Sequence, residues 1–290
     1  MNDPSPTAPE YVAARRILLD ALVALAPHGE AFIVAGAQAV YLHTGARALD
    51  ESVAPFTTDG DLAVNPSLLG EAPALEAAMS GAGFVLMAQD GGHVEPGIWV
   101  AQTQVGERTY DVPVDLIVPE GVAAAGGRRG ARLGIHGKRA ARRAVGLEAA
   151  LVDHIPMTIT TLEPDDDRSV TAEVAGVAAM FVAKVHKIHD RVESGRTDRL
   201  SDKDSSDLLR FMQTRSPDEV GRRLAELADD PTSGEVTRLA IAYIEDLFGR
   251  RGRPGVDMAI RALAGVVPAA RIETICVSYA TALRDAADGG

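Results

Sequence analysis

The chain has 290 residues and a hydrophobic content of 46%, enough for a packed core, which excludes an intrinsically disordered protein. Its formal net charge of -12 argues against a general nucleic-acid coat, although a local basic patch is still allowed. The single cysteine, Cys276, excludes an intramolecular disulfide, and the lack of a long apolar run or a leader-like N-terminus predicts a cytoplasmic protein without a membrane partner.

The first expected elements are a loose tail, a helix and a short buried strand. Residues 1–9 are polar and contain prolines, and the apolar pattern that follows predicts an amphipathic helix over Glu10–Ala26. The apolar run Ala31–Ala35 is typical of a buried strand, and Gly36 separates it from helix-prone residues. A glycine between a strand and a helix lets backbone N–H groups approach a phosphate, although many tight turns need glycine as well.

Two aspartates lie in the next expected strand, Phe56–Val64. Alternate side chains of a strand share a face, so Asp59 and Asp61 point to one side while Leu62 and Val64 point toward a core. Two close carboxylates repel unless a cation lies between them, and Mg²⁺ takes one or two carboxylates together with substrate phosphates. The alternative is a solvated edge strand with a turn at the intervening glycine.

The following residues predict a helix, a strand and a hairpin. The helix is expected over Pro66–Met79, the strand over Phe84–Met87, and the hairpin from Ile98 to Tyr110. These elements indicate a mixed α/β region built on a small sheet.

A third aspartate lies in the apolar run Asp111–Pro119. Alternate valine and leucine residues form one face of this expected strand, Asp115 lies opposite them, and Pro113 indicates an edge or a strand start. A carboxylate inside an apolar run costs stability unless it is paired or bound to metal, so Asp115 is a candidate metal ligand. The alternative is an ordinary strand position facing the surface.

The composition changes abruptly between Gly126 and Arg143. No acidic residue occurs from Gly121 to Leu147, and the segment concentrates basic side chains. These are Arg128, Arg129, Arg132, Lys138, Arg139, Arg142 and Arg143. In an acidic chain they are a candidate footprint for RNA phosphates, although the lack of aromatic residues gives no support to base stacking. The alternative is a solvated, flexible insertion that offsets the acidic remainder.

From Gly176 onward the pattern is helical. Val177, Phe181, Lys184 and Ile188 share one stripe, which places a lysine at the centre of an apolar face. Lysine is almost never fully buried without a partner, so the ammonium must reach a carboxylate, a bound phosphate or the surface.

The next helix offers that partner. Asp204, Leu208 and Phe211 share an apolar stripe, whereas Asp207 is expected toward the polar side. Lys184 and Asp204 are therefore predicted to face each other across two packed helices, at the mouth of the site formed by Asp59 and Asp61. Three later helices carry no chemical signal: Pro217–Ala228, Glu235–Phe248 and Pro268–Ala286.

The chain resembles the AbiEii-type nucleotidyltransferase toxins, a family similar to the DNA-polymerase-β-like nucleotidyltransferases. The resemblance covers roughly residues 30 to 212 and has four parts: Gly36 after a buried strand, Asp59-Gly60-Asp61, Val182-Ala183-Lys184-Val185 with Arg191, and the run Asp202 to Leu208. Several family members modify transfer RNA ends with nucleotides. Ala37 departs from the family, which has serine or threonine there, and so removes one hydroxyl contact to phosphate.

The resemblance and the patterns together predict an α+β fold. A small mixed-sheet nucleotidyltransferase core is expected over residues 1–175, followed by a helical domain over residues 176–290 that carries the lysine and aspartate motifs.

The implied activity is metal-dependent nucleotide transfer from a nucleoside triphosphate to an acceptor hydroxyl, with Mg²⁺ or Mn²⁺ as cofactor. The expected catalytic residues are Asp61, Lys184 and Asp204; the metal ligands are Asp59, Asp61 and Asp115; the nucleotide-binding residues are Gly36, Ala37, Thr58 and Lys184. Asp204 either orients Lys184 or assists deprotonation. The expected acceptor is a transfer RNA end, and a cognate antitoxin protein is a further partner.

Two other functions stay open. The acidic net charge suits nucleotidyl transfer to a small hydroxylated molecule such as an antibiotic. Ala37 leaves room for a catalytically lapsed binding protein.

Overall fold

A computed structural model of the chain describes residues 7–45, 56–89, 91–125, 129–195 and 202–289. Its strands are β1 Phe32–Ala35, β2 Gly60–Val64, β3 Val85–Ala88, β4 Val94–Val105, β5 Arg108–Pro119, β6 Arg142–Ala144, β7 His154–Thr160 and β8 Ser169–Ala175. Its helices are α1 Pro9–Leu25, α2 Gly36–Thr44, α3 Leu75–Gly81, α4 Val177–Glu193, α5 Asp202–Thr214, α6 Pro217–Asp229, α7 Gly234–Phe248, α8 Pro254–Ala262 and α9 Ala269–Asp288. The predicted α+β fold with C-terminal helices is confirmed.

The strands in the described ranges form one mixed sheet in the order β3-β4-β5-β2-β1-β8-β7, with β6 paired to β5. Strand β2 is antiparallel to β1 and parallel to β5. The register places Ala35 beside Asp61 and Asp61 beside Asp115. The aspartates of two separate sequence motifs therefore meet on adjacent central strands.

The described residues form two compact units. The first takes those of Met1–Leu42, Ala54–Ala144 and His154–Ala175, and it contains the whole sheet. Helix α1 packs against β2, β4, β5 and β8, and its Leu18 lies 3.3 Å from where a Cβ on Gly60 would be. Leu62 and Val64 are fully buried, as predicted for the core side of β2.

The second unit takes the described residues of His43–Val53, Val145–Asp153 and Gly176–Gly290. It contains helices α4 to α9. Asp153 lies at the start of α4, where its carbonyl accepts a hydrogen bond from the Gly176 amide (2.7 Å) and its Oδ2 accepts one from the Ala179 amide (3.0 Å). Helix starts leave amide hydrogens without partners, and Asp153 supplies acceptors for them.

Two helices differ from what the sequence predicts. The helix expected over Pro66–Met79 is confined to Leu75–Gly81, because Gly70 and Pro73 interrupt the earlier part and a residue before proline disfavours the helical region. Helix α8 was not predicted; its Pro254 occupies the first turn, where the missing N–H costs nothing. None of the helices in the described ranges has the length and apolarity needed to cross a membrane.

Candidate functional site

Among the described glycines, Gly36 has the least space for an added Cβ, because Asp61 lies against it. Gly36 follows the end of β1 and has φ +62°, in the left-handed region that favours glycine. A Cβ built on Gly36 would lie 1.9 Å from Asp61 Oδ2, so a side chain there would overlap the carboxylate. The chain thus needs glycine for both its backbone angle and its space, and it brings the Asp61 carboxylate against the first turn of α2.

Asp115 lies beside Asp61 on the same face of the sheet, since registered partners on neighbouring strands point the same way. The opposite face of these strands, with Leu62 and Val114, is buried. Arg142 on β6 donates to Asp115 Oδ2 through Nε (3.0 Å) and Nη2 (2.6 Å). The expected third metal ligand therefore has a guanidinium as its partner, a pairing that no local sequence pattern predicts.

Asp59 lies one residue before β2 and is held by short-range contacts. The hydroxyl of Thr57 donates to Asp59 Oδ1 at 2.6 Å, and the Gln38 amide lies 3.5 Å from the Asp59 carbonyl. The neighbouring Thr58 is exposed, and Ala37 is buried at the start of α2. Three of the four expected nucleotide-binding residues, Gly36, Ala37 and Thr58, thus lie in the first unit, but Ala37 presents no polar group.

The donor chemistry of Asp59 and Asp61 fits a hard divalent ion, because Mg²⁺ is held by one or two carboxylates with the remaining ligands from phosphates and water. Within the described ranges, no three or more histidine, cysteine or acidic side chains are grouped so as to hold a metal. Metal binding by Asp59 and Asp61 therefore stays a prediction.

We call the stretch between Gly126 and Arg143 the arginine-rich segment. Most of its described basic side chains contact acidic side chains. The pairs are Arg129 with Glu95 (3.1 Å), Arg139 with Glu76 (3.9 Å), Arg142 with Asp115 (2.6 Å) and Arg143 with Glu120 (2.6 Å). Arg132 and Lys138 are exposed and have no acidic partner in the part of the chain that the structure describes. Arg128, also predicted to bind RNA, lies outside the described residues.

The second unit contains a buried cluster of charges. Lys184 Nζ donates to Asp204 Oδ1 at 2.8 Å and to Asp207 Oδ2 at 2.7 Å, and only 6% of the Lys184 side chain is exposed. Lys187 (3.1 Å) and Arg191 (2.8 Å) also reach Asp204 from positions closer to solvent. Lys184 and Asp204 are thus paired across α4 and α5, as predicted.

The charges in this cluster keep one another ionised. Burial opposes the charged form of Lys184, but the carboxylates of Asp204 and Asp207 outweigh it and raise the pKa of Lys184 above its ordinary value. Burial likewise opposes the charge on Asp204, and Lys184, Lys187 and Arg191 outweigh it and lower the pKa of Asp204.

The expectation that Asp207 faces the polar side was wrong. Asp207 is buried, because residues three apart on a helix share a face and both aspartates of α5 therefore reach Lys184. That spacing could have identified Asp207 from the sequence.

The structure groups the predicted residues into two sets. Gly36, Asp59, Asp61 and Asp115 lie in the first unit, and the Lys184 cluster lies in the second. Their joint action stays a prediction. Comparison of the chain with protein-family models, with curated proteins and with solved structures found no match.

Proposed function

We propose that this chain catalyses metal-dependent transfer of a nucleotide from a nucleoside triphosphate to an acceptor hydroxyl. The observation that carries the proposal is the packing of the Asp61 carboxylate against Gly36, at the point where β1 passes into α2. A carboxylate beside a glycine turn at a helix start places an oxygen ligand for a cation next to backbone N–H groups suited to phosphate.

The residues of the first unit would act mainly by position and charge. The N-terminal turn of α2 would bind the triphosphate, and Asp59 and Asp61 would hold Mg²⁺. When bound, the ion would supply positive charge to offset the negative charge that develops on the transferred phosphate. Phosphoryl transfer asks the protein for little covalent chemistry, so alignment of the triphosphate with the acceptor is the main contribution.

Asp115 enters this proposal in a changed role. Because Asp115 forms a salt bridge with Arg142, we assign the metal to Asp59 and Asp61. Asp115 then contributes to the electrostatic potential at the site and is not itself a ligand. A second metal at Asp115 would require Arg142 to move away.

The Lys184 cluster supports one of the two roles considered for Asp204. A general base should have a pKa near the working pH, whereas three cations lower the pKa of Asp204. Asp204 is therefore proposed to orient Lys184 rather than to remove a proton. The burial of Lys184 between two carboxylates also favours fastening of α4 to α5.

The proposed acceptor is an RNA end, with the arginine-rich segment as its contact and a cognate antitoxin as a regulatory partner. A small hydroxylated acceptor is the second candidate, and it is favoured by the acidic partners of Arg129, Arg139, Arg142 and Arg143. These pairs reduce the free positive charge available to RNA phosphates. A lapsed binding protein is the third, because Ala37 lacks a phosphate-binding hydroxyl.

The test is to incubate the protein with each labelled triphosphate and Mg²⁺, with and without total transfer RNA. Asp61→Asn should abolish transfer while leaving the fold intact. Asp111→Asn is the matched control, since Asp111 is an exposed aspartate of β5. Equal transfer by wild type and Asp61→Asn at saturating Mg²⁺ would refute the proposal, and label in a small molecule instead of RNA would select the second acceptor.

A further inference from the structure

Arg15 on α1 is a buried cation that donates hydrogen bonds to neutral groups. It is 4% exposed, and no acidic side chain within the described ranges forms an ion pair with it. Its three hydrogen-bond partners are neutral: Gln38 Oε1 (2.9 Å), the Thr160 carbonyl (3.1 Å) and the Tyr11 hydroxyl (2.8 Å). Burial of a cation costs free energy that an apolar residue would avoid, so stability alone is a poor explanation for this arginine.

The contact between Arg15 and Gln38 fixes the orientation of an amide. A guanidinium only donates hydrogen bonds, so the Gln38 oxygen must face Arg15. The Gln38 nitrogen is then directed away from Arg15, toward the Asp59 carbonyl 3.5 Å away. This distance is at the long end for a hydrogen bond, so the contact is weak. Its effect on the segment depends mainly on the orientation of the Gln38 amide.

A second contact ties the same segment to α2. Tyr41, one helical turn after Gln38, donates from its hydroxyl to the Phe56 carbonyl at 2.8 Å. The Tyr41 ring packs edge-on against Tyr11, with ring centroids 5.4 Å apart, and Tyr11 accepts a hydrogen bond from Arg15. Arg15 therefore supports both contacts to this segment. It binds Gln38 directly, and it binds Tyr11, which packs against Tyr41.

We infer that Arg15 and Gln38 are positioning residues. They hold the segment from Phe56 to Asp61 in the position in which the carboxylates of Asp59 and Asp61 can bind one cation. The inference rests on the proposed function for its catalytic consequence, but the restraint on the segment can be measured without any activity. Tyr41 provides the second fixed point of the same restraint.

Gln38→Glu separates positioning from stability. The carboxylate still accepts from Arg15, and with an added ion pair, but it has no hydrogen to donate to the Asp59 carbonyl. We expect a melting temperature at or above that of wild type, faster hydrogen exchange of the amides of residues 57–61, and a kcat lower by about 10- to 100-fold with little change in triphosphate KM.

Arg15→Met removes the guanidinium and should accelerate exchange in the same segment. Arg16→Met is the matched control: Arg16 is the next residue of α1, but it binds Glu163, Thr103 and the Gln104 carbonyl, away from Asp59. Arg16→Met should lower the melting temperature while leaving exchange at residues 57–61 and kcat unchanged.

The inference would be overturned if the amides of residues 57–61 exchanged at the wild-type rate in both Gln38→Glu and Arg15→Met. A kcat that follows melting temperature alone across the three variants would overturn it as well. If wild type transfers no nucleotide, the proposed function fails, and the exchange data still decide whether Arg15 and Gln38 restrain the segment.

Discussion

Asp61 Oδ2 occupies the space that a side chain on Gly36 would need, 1.9 Å from the position of an added Cβ. Gly36→Ala should therefore destabilise the fold by about 1–2 kcal/mol for the left-handed backbone and a further 1–3 kcal/mol for overlap with Asp61. Gly106→Ala is the control, because Gly106 has a similar φ of +60° and nothing within 4 Å of its added Cβ. Urea denaturation of both variants measures the difference. Equal destabilisation of the two would mean that Asp61 moves aside freely.

Arg142 should limit metal binding at the carboxylates. Arg142→Met removes the guanidinium from Asp115 and leaves a carboxylate beside Asp61, which should strengthen the attraction for a divalent cation. We expect a larger rise in melting temperature on adding Mg²⁺ than in wild type. Arg143→Met, which removes an arginine paired with Glu120, should not have this effect. The role given to Asp115 is wrong if the two variants respond alike.

Lys184 and Lys187 should differ sharply in their contributions to stability. Both donate to Asp204 Oδ1, but 6% of one side chain is exposed and 47% of the other. Lys184→Met should lower the free energy of unfolding by about 3–5 kcal/mol, because it leaves buried carboxylates without their central cation. Lys187→Met should cost less than about 1 kcal/mol, as for a solvent-exposed pair.

Nucleotide transfer by these two lysine variants is measured beside their stability. A catalytic role for Lys184 predicts that transfer falls by orders of magnitude even at a temperature where Lys184→Met is fully folded. If folded Lys184→Met transfers at the wild-type rate, only the fastening role remains.

The charge cluster also predicts a pH dependence. The folded-state pKa of Asp204 lies below its ordinary 3.8, so its contribution is present above that value and is lost as the pH falls. The pKa of Lys184 lies above its ordinary 10.5, so its contribution is present below that value and is lost as the pH rises. The stability difference between wild type and Asp204→Asn should be flat from about pH 5 to 9 and shrink below about pH 4.

Urea denaturation across this pH range measures that difference. Asp190→Asn on α4 is the control, because Asp190 is exposed. A difference that persists unchanged to pH 3 would contradict the assigned charge states.

The proposed RNA acceptor predicts that RNA binding depends on Arg132 and Lys138. These exposed residues have no acidic partner in the described ranges, unlike most of their basic neighbours. Changing both to Glu should weaken binding of transfer RNA and make the slope of log affinity against log salt shallower by roughly 0.7 for each phosphate that the variant no longer neutralises. The charge-matched control changes Arg108 and Arg222, which are exposed elsewhere. Equal affinities for both variants would favour a small-molecule acceptor.

Local patterns predicted much of the fold because short-range physics determines it. The alternation around Asp61 fixed which side of β2 is buried, and the stripe through Lys184 fixed the need for a buried partner. The part of the predicted helix that precedes Leu75 is absent from the structure, because proline and glycine there disfavour a helix despite the apolar pattern. Asp207 was predicted on the polar side, although its i, i+3 relation to Asp204 places both side chains on one face of the helix.

Contacts between distant segments could not be predicted. Arg142 reaches Asp115 only because β6 pairs with β5, and Arg15 reaches Gln38 only because α1 packs beside α2. No residue near either arginine in the sequence marks it as a partner of Asp115 or Gln38. Their roles depend on strand order and helix packing, which no periodicity encodes.

The place of Asp153 at the start of α4 affects any attempt to divide the chain. The helical unit includes Val145–Asp153, which precedes β7 and β8 in sequence although both strands belong to the sheet. A fragment that begins at Gly176 would lack the acceptors for the Gly176 and Ala179 amides, as well as the ion pair from Arg223 to Asp153. During synthesis, residues 145–153 emerge before β7, β8 and the helices α4 to α9 with which they form a unit. The two units are thus interleaved along the chain, and a truncation intended to isolate the helices should retain residues 145–153.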